Sequence, residues 1–177
     1  GMMVISDVKR GDIGPTAEAY ANAYVGCGKI ENRDLRAFSS DFATVNPYLG
    51  SDGILPFVKA CEKEETGLFV LVKTSNPSGG EFQDLKCDGK LVYGHVAEKV
   101  VSWGEGLIGE NGYSSVGAVV GATYPKQGAA LREMMPRTFF LVPGYGAQGA
   151  TSDDLKGCFD KNGLGAVVNA SRSLLCA

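Results

Sequence analysis

Six short apolar runs, each ending in polar residues or in Gly and Pro, constrain the fold more than any other feature of this sequence. They are Met3 to Lys9 (MVISDVK), Asp41 to Asn46 (DFATVN), Gly67 to Lys73 (GLFVLVK), Val116 to Thr123 (VGAVVGAT), Thr138 to Val142 (TFFLV) and Gly165 to Asn169 (GAVVN). Most lack clean alternation, which is how strands covered on both faces read. Helical stretches lie between them: TAEAYANAYVGCG, GILPFVKACEKEE, KLVYGHVAEKVVSW, PKQGAALREMM and SDDLKGCFD. Pro15 suits the first turn of the first helix, and Gly26 or Gly28 can end it. Ser152 is the expected N-cap of the last.

A β-α-β-α order implies a parallel sheet with right-handed crossovers. A doubly wound sheet needs a Gly-rich fingerprint after an early strand, whereas GYGAQGA comes after the fifth. A (β/α)8 barrel of the TIM type fits better. Its chemistry sits at the C-terminal ends of strands, and Asp7, Lys9, Asn46, Thr74, Ser75, Thr123, Gln148, Ser171 and Arg172 cluster there. At 177 residues the chain reads as a single domain, 1–177. It holds about six βα units, against the roughly 250 residues and eight units of a typical barrel.

Composition narrows the function. Net charge is -3 and no Lys/Arg run occurs, so nucleic acid is not an expected partner. No apolar run approaches the roughly 20 residues of a membrane span, and a cytoplasmic protein is expected. Five cysteines at 27, 61, 87, 158 and 176 form no C-x-x-C. They read as reduced thiols, not as a disulfide framework or zinc site. His95 is the single histidine, which argues against a His-based triad or a metal site. Trp103 lies at helical spacing from Val96 and Val100 and reads as core. The run Glu62 to Glu65 reads as a solvated helix face.

Four motifs carry candidate chemistry. Asp7 and Lys9 are two apart, so an extended strand points both to one face, and Asp12 follows. An ammonium held beside carboxylates stays protonated and can deliver a proton to a carbanion. A surface ion pair at a strand end explains the same spacing. Pro143 to Gly149 (PGYGAQG) brings three glycines whose backbone N–H groups can form an anion nest, with the Gln148 amide beside them. Asn169 to Arg172 (NASR) offers a guanidinium fork suited to phosphate. Lys73 to Pro77 (KTSNP) places a hydroxyl and an amide where they could read the polar edge of a base, or simply cap a loop.

Together these segments resemble orotidine 5'-phosphate decarboxylase, in particular its longer bacterial subfamily. The resemblance rests on DVKRGDIGPTAEAYA, TVNPYLGSDG, FVLVKTSNPSGGEFQDL, GYSSVGAVVGATYP, FFLVPGYGAQG and VVNASR. It implies a barrel of the ribulose-phosphate-binding kind that decarboxylates orotidine 5'-phosphate to UMP without metal or organic cofactor. By this resemblance Asp7, Lys9 and Asp12 are catalytic, with Lys9 protonating C6 of the base. Asp12, with Ile13 and Thr16, reaches across a homodimer into the neighbouring site. Ser75 contacts the pyrimidine, Pro143 lies beside it, and Gln148, Arg172 and the backbone of Ser171 hold the phosphate. The resemblance further implies that the chain begins at the family's third strand and stops before its last helix. A second lysine of the charged network and an aspartate near the ribose would then lie outside it. Two other readings are a truncated barrel that only binds nucleotide phosphate or dimerises, and a sugar-phosphate lyase of the same superfamily.

Overall fold

The computed structural model describes residues 1–146 and 148–170. They form two compact units, Gly1–Leu71 and a second that starts at Val72.

In the first unit, strand β1 (Ile5–Arg10) leads into helix α1 (Gly14–Tyr24). A small antiparallel hairpin follows, β2 (Gly28–Ile30) with β3 (Arg33–Leu35). Strand β4 (Phe42–Val45), helix α2 (Ser51–Glu64) and strand β5 (Gly67–Lys73) complete it. The strands lie parallel in the order β1-β4-β5. Gly67 to Val70 are all buried, as an unalternating apolar run requires. Phe57 of α2 and Phe69 of β5 are fully buried, each worth about 1.5–3 kcal/mol of hydrophobic stabilisation.

β5 crosses the boundary at Leu71 and ends in the second unit. After it come helix α3 (Gly80–Gln83), the hairpin β6 (Lys86–Cys87) and β7 (Lys90–Leu91), and helix α4 (Val92–Gly104). Strand β8 (Ser114–Val120), helix α5 (Pro125–Met134), strand β9 (Thr138–Pro143), helix α6 (Ser152–Leu155) and strand β10 (Ala166–Asn169) follow. Here the end of β5 precedes β8, β9 and β10 in the sheet, and β8, β9 and β10 run parallel. Arg132 of α5 is buried and donates to the carbonyls of Met135, Thr138, Cys158 and Gly165. One side chain thus satisfies backbone around the starts of β9 and β10.

All six expected strands and the helices between them are present. Helix α1 stops at Tyr24 with Val25 as its C-cap, and Gly26, next in the chain, ends it: its N–H donates to the Ala21 carbonyl at 2.9 Å. Other details differ for local reasons. The N-cap of α6 is Thr151, not Ser152: Thr151 and Asp154 form a capping box. Trp103 is half-buried. Glu64 is not a solvated acid. Hydrogen bonds from Lys63, Cys27 and Arg36 pull its carboxyl down to about 2. Neither hairpin was expected from apolar periodicity. The second turns on Asp88 and Gly89, both at positive φ, an Asp-Gly signal present in the sequence.

Candidate functional site

At the end of β1 the pairing with β4 is irregular. Ser6 faces Ala43 and Arg10 faces Val45, so β1 carries more residues than its partner between these points. The excess is absorbed at Lys9, whose φ of 48° lies in the left-handed region that non-glycine residues avoid. A bulge of this kind re-aims a side chain, and here it keeps Lys9 with Asp7: Lys9 Nζ donates to Asp7 Oδ1 at 2.5 Å. The pairing expected from spacing exists, although the strand is not extended at Lys9.

Thr44 fixes this geometry. Its hydroxyl, fully buried in β4, accepts from the backbone N–H of Lys9 at 2.9 Å and donates to Asp7 Oδ1 at 2.9 Å. One hydroxyl therefore holds both the unusual backbone of Lys9 and the carboxylate that orients its ammonium. Asp7 and Lys9 remain about half exposed, so their ion pair adds little stability by itself. It leaves a cation and an anion open to a ligand.

Asp12 is half-buried just before α1, and its carboxylate accepts from the N–H of Ile13 at 2.8 Å. The start of α2 packs on its backbone: a Cβ on Gly53 would lie 3.0 Å from the Asp12 carbonyl oxygen. Ile13 is 52% exposed and Thr16 is exposed. Beside them, Ile13, Gly14, Ser51, Asp52, Leu55, Pro56 and Lys59 line an open groove.

The second unit brings Ser75, Pro143 and Gln148 together around Gly144. Gly144 has φ 104°. A Cβ there would sit 3.0 Å from Gln148 Oε1, 3.2 Å from Ser75 Cβ and 3.5 Å from Thr123 Cγ2, so both conformation and space demand glycine. Pro143 ends β9, and its carbonyl accepts from the N–H of Ala122 at 2.8 Å. Gln148 is exposed, in a loop closed by hydrogen bonds from Gly146 to Ala150 and from Gly149 to Gly146. Ser75 is half-buried against Gly121, where a Cβ would come within 2.7 Å of the Ser75 backbone. Thr123 Oγ1 donates to the Ser75 carbonyl at 3.0 Å. Ser171 and Arg172 lie outside the described residues.

Among the described residues, the thiols and the histidine take no part in these arrangements. Burial pushes the Cys61 thiol up to about 12 and raises that of Cys158, which makes neither a ready nucleophile. His95 Nε2 contacts the carbonyl of Cys87 at 2.8 Å. Among the described residues, no helix is long and apolar enough to cross a membrane.

Residues 1–177 match the family described as orotidine 5'-phosphate decarboxylase / HUMPS. The chain belongs to this family. It is 52% identical to orotidine 5'-phosphate decarboxylase of Caldicellulosiruptor bescii over 176 residues, which cover 99% of the chain and 58% of that protein. Identity to the Rhodopirellula baltica enzyme is also 52%, over 100% of the chain and 58% of the relative. The chain thus spans 58% of the length of these curated relatives. The solved structure of Leishmania donovani OMP decarboxylase superposes with a TM-score of 0.79 at 36% identity, covering 99% of the chain and 61% of that structure. The parallel strands and helices described above therefore match part of the β/α-barrel of this family.

Some residues that shape this family member's site were not singled out from its sequence. Thr44 stands as the one polar residue between Asp41 and Asn46 in DFATVN, which was the available signal. Gln83 and Asp84 lie near the end of the block FVLVKTSNPSGGEFQDL, with no periodicity to mark them.

Thr44→Val preserves shape but removes the hydroxyl between Lys9 and Asp7. It is expected to cost about 1–2 kcal/mol, a fall of roughly 2–8 °C in Tm. Thr44→Ser should retain most of that stability. Equal melting temperatures for wild type and Thr44→Val in a thermal scan would contradict the role given to the hydroxyl.

Proposed function

We propose that this chain carries out the decarboxylation of orotidine 5'-phosphate to UMP, a step of pyrimidine nucleotide synthesis, with Lys9 as the proton donor. The observation that carries the reading is the Lys9 ammonium held 2.5 Å from Asp7 by the buried Thr44 hydroxyl, in a chain whose whole length matches the family. The bond between C6 of the pyrimidine and its carboxylate breaks, carbon dioxide departs, and the electron pair stays on C6. The Lys9 ammonium, fixed before the reaction begins, stabilises that charge and transfers a proton to it. Solvent then restores the lysine proton. The Asp7 carboxylate orients the Lys9 ammonium and opposes the substrate carboxylate by charge repulsion.

Ser75 contacts the polar edge of the base, with Pro143 beside it. Gln148, Arg172 and the Ser171 backbone hold the phosphate. Binding energy gathered at this distant group acts at the reacting carbon. No metal or organic cofactor enters the scheme. A cytoplasmic setting suits it, since free thiols such as Cys27 and Cys61 persist in reducing compartments.

The partner in this reading is a second copy of the chain, with Asp12, Ile13 and Thr16 at the interface. Support comes from the exposure of Ile13 and Thr16 beside the α1–α2 groove. Sedimentation velocity at micromolar concentration should then give a dimer; a clean monomer would overturn this part.

Loss of pyrimidine absorbance on mixing the purified chain with orotidine 5'-phosphate tests the activity, with Lys9→Ala as control. Turnover that disappears in the control is the expected result. UMP-dependent thermal stabilisation without turnover would favour a nucleotide-binding piece instead, and turnover of a hexulose phosphate would favour the lyase.

A further inference from the structure

Lys73 is the one fully buried lysine among the described residues, and the scheme above does not use it. Its ammonium donates to both oxygens of Asp84, at 2.8 and 2.9 Å. It also lies 4.3 Å from the ring centroid of Tyr124 and 5.8 Å from that of Tyr93. Taking a lysine wholly out of water is costly unless its partners are well placed. A fully buried ammonium paired with a partly exposed carboxylate therefore has a structural reason, the segment that it holds.

It holds the segment that carries Ser75. Gln83 and Asp84 are adjacent, and they reach back to Thr74 and Lys73, which are also adjacent. Asp84 binds the Lys73 ammonium, while the Gln83 amide accepts from the Thr74 N–H at 3.1 Å and donates to Thr74 Oγ1 at 2.8 Å. The chain from Thr74 to Gln83 is thereby closed into a loop with Ser75 near its root. Two glycines make room for this closure. A Cβ on Gly79 would lie 2.8 Å from Thr74 Oγ1 and 3.1 Å from Gln83 Oε1, and one on Gly80 would lie 2.7 Å from Asp84 Oδ2. Neither has a positive φ, so close packing, and not backbone conformation, excludes larger residues. On the other side, Thr123 and Gly121 hold the Ser75 backbone, and Tyr124 Oη donates to the Asn76 carbonyl at 3.5 Å. Tyr124 thus contacts both the buried ammonium and the segment that follows Ser75.

We propose that Lys73 and Asp84 are positioning residues that lock the loop bearing Ser75, so that its hydroxyl is set for the polar edge of a pyrimidine before ligand arrives. This rests on the reading of Ser75 as the base contact. Lys73 has no exposed surface and acts only through Asp84 and the loop. A pre-set hydroxyl spares the bound state the cost of ordering it.

A double-mutant cycle on UMP binding, measured by titration calorimetry on the whole chain, tests the proposal. The variants are Ser75→Ala, Asp84→Asn and the two combined, each checked for a cooperative thermal transition. Groups acting through one contact are not additive. Each single variant is expected to weaken UMP binding about three- to tenfold, and the double variant no more than about twofold beyond the worse single. An unchanged affinity in Asp84→Asn, or a fully multiplicative loss in the double variant, would overturn the positioning role while leaving Ser75 as the base contact. Unchanged affinity in Ser75→Ala would remove the base contact itself, and the proposal with it. Where Asp84→Asn does not fold, Gln83→Met breaks the other arm of the closure and enters the same cycle with the same expected non-additivity.

Discussion

A polar group carried into the interior of a parallel β/α structure must find its partners there, because water cannot reach it. Among the buried polar groups on the described strands, two bear on the candidate site, one in each unit. The Thr44 hydroxyl in β4 binds the backbone of Lys9 and the carboxylate of Asp7. The Lys73 ammonium at the end of β5 binds the carboxylate of Asp84. In both cases the buried group is invisible to a ligand, and the side chains that it organises are the ones left exposed or half-exposed. The apolar strands supply stability; these two interior contacts translate it into fixed positions for polar groups at strand ends.

The backbone at Lys9 shows the direction of the trade. A lysine at φ 48° is a conformation that costs of order 1–3 kcal/mol and persists only where the surroundings enforce it. The irregular register between β1 and β4 and the hydrogen bond from the Lys9 N–H to Thr44 provide that enforcement. The gain is an ammonium set beside a carboxylate with both still open to solvent, an arrangement suited to stabilising charge that develops at a bound ligand.

The strands and most helices were legible in the sequence because an apolar run bounded by polar residues has few other ways to fold. GLFVLVK became a strand buried along most of its length, and PKQGAALREMM a helix opening on Pro125. The Asp7–Lys9 pair was legible from spacing, but the bulge that creates it was not, since it depends on register against β4. Thr44 and Asp84 escaped for a related reason. Thr44 acts on residues 35 and 37 positions earlier, and Asp84 on a residue 11 positions earlier, beyond the reach of helical or strand periodicity. Gly144 was legible as part of a glycine-rich loop. Its closeness to Ser75 follows only from the strand order that sets β8 between β5 and β9.

In the proposed reaction an ammonium beside Asp7 delivers the proton to the pyrimidine carbon. Chemical rescue tests it most directly. Lys9→Gly removes the side chain at a position whose positive φ glycine accepts readily, and the variant is then assayed with orotidine 5'-phosphate in rising concentrations of propylammonium or of tetramethylammonium. Proton delivery by Lys9 requires no turnover in the variant alone, recovery that grows with propylammonium, and no recovery with tetramethylammonium, a cation without an N–H proton. Full activity of Lys9→Gly without amine, or equal rescue by both cations, would contradict it.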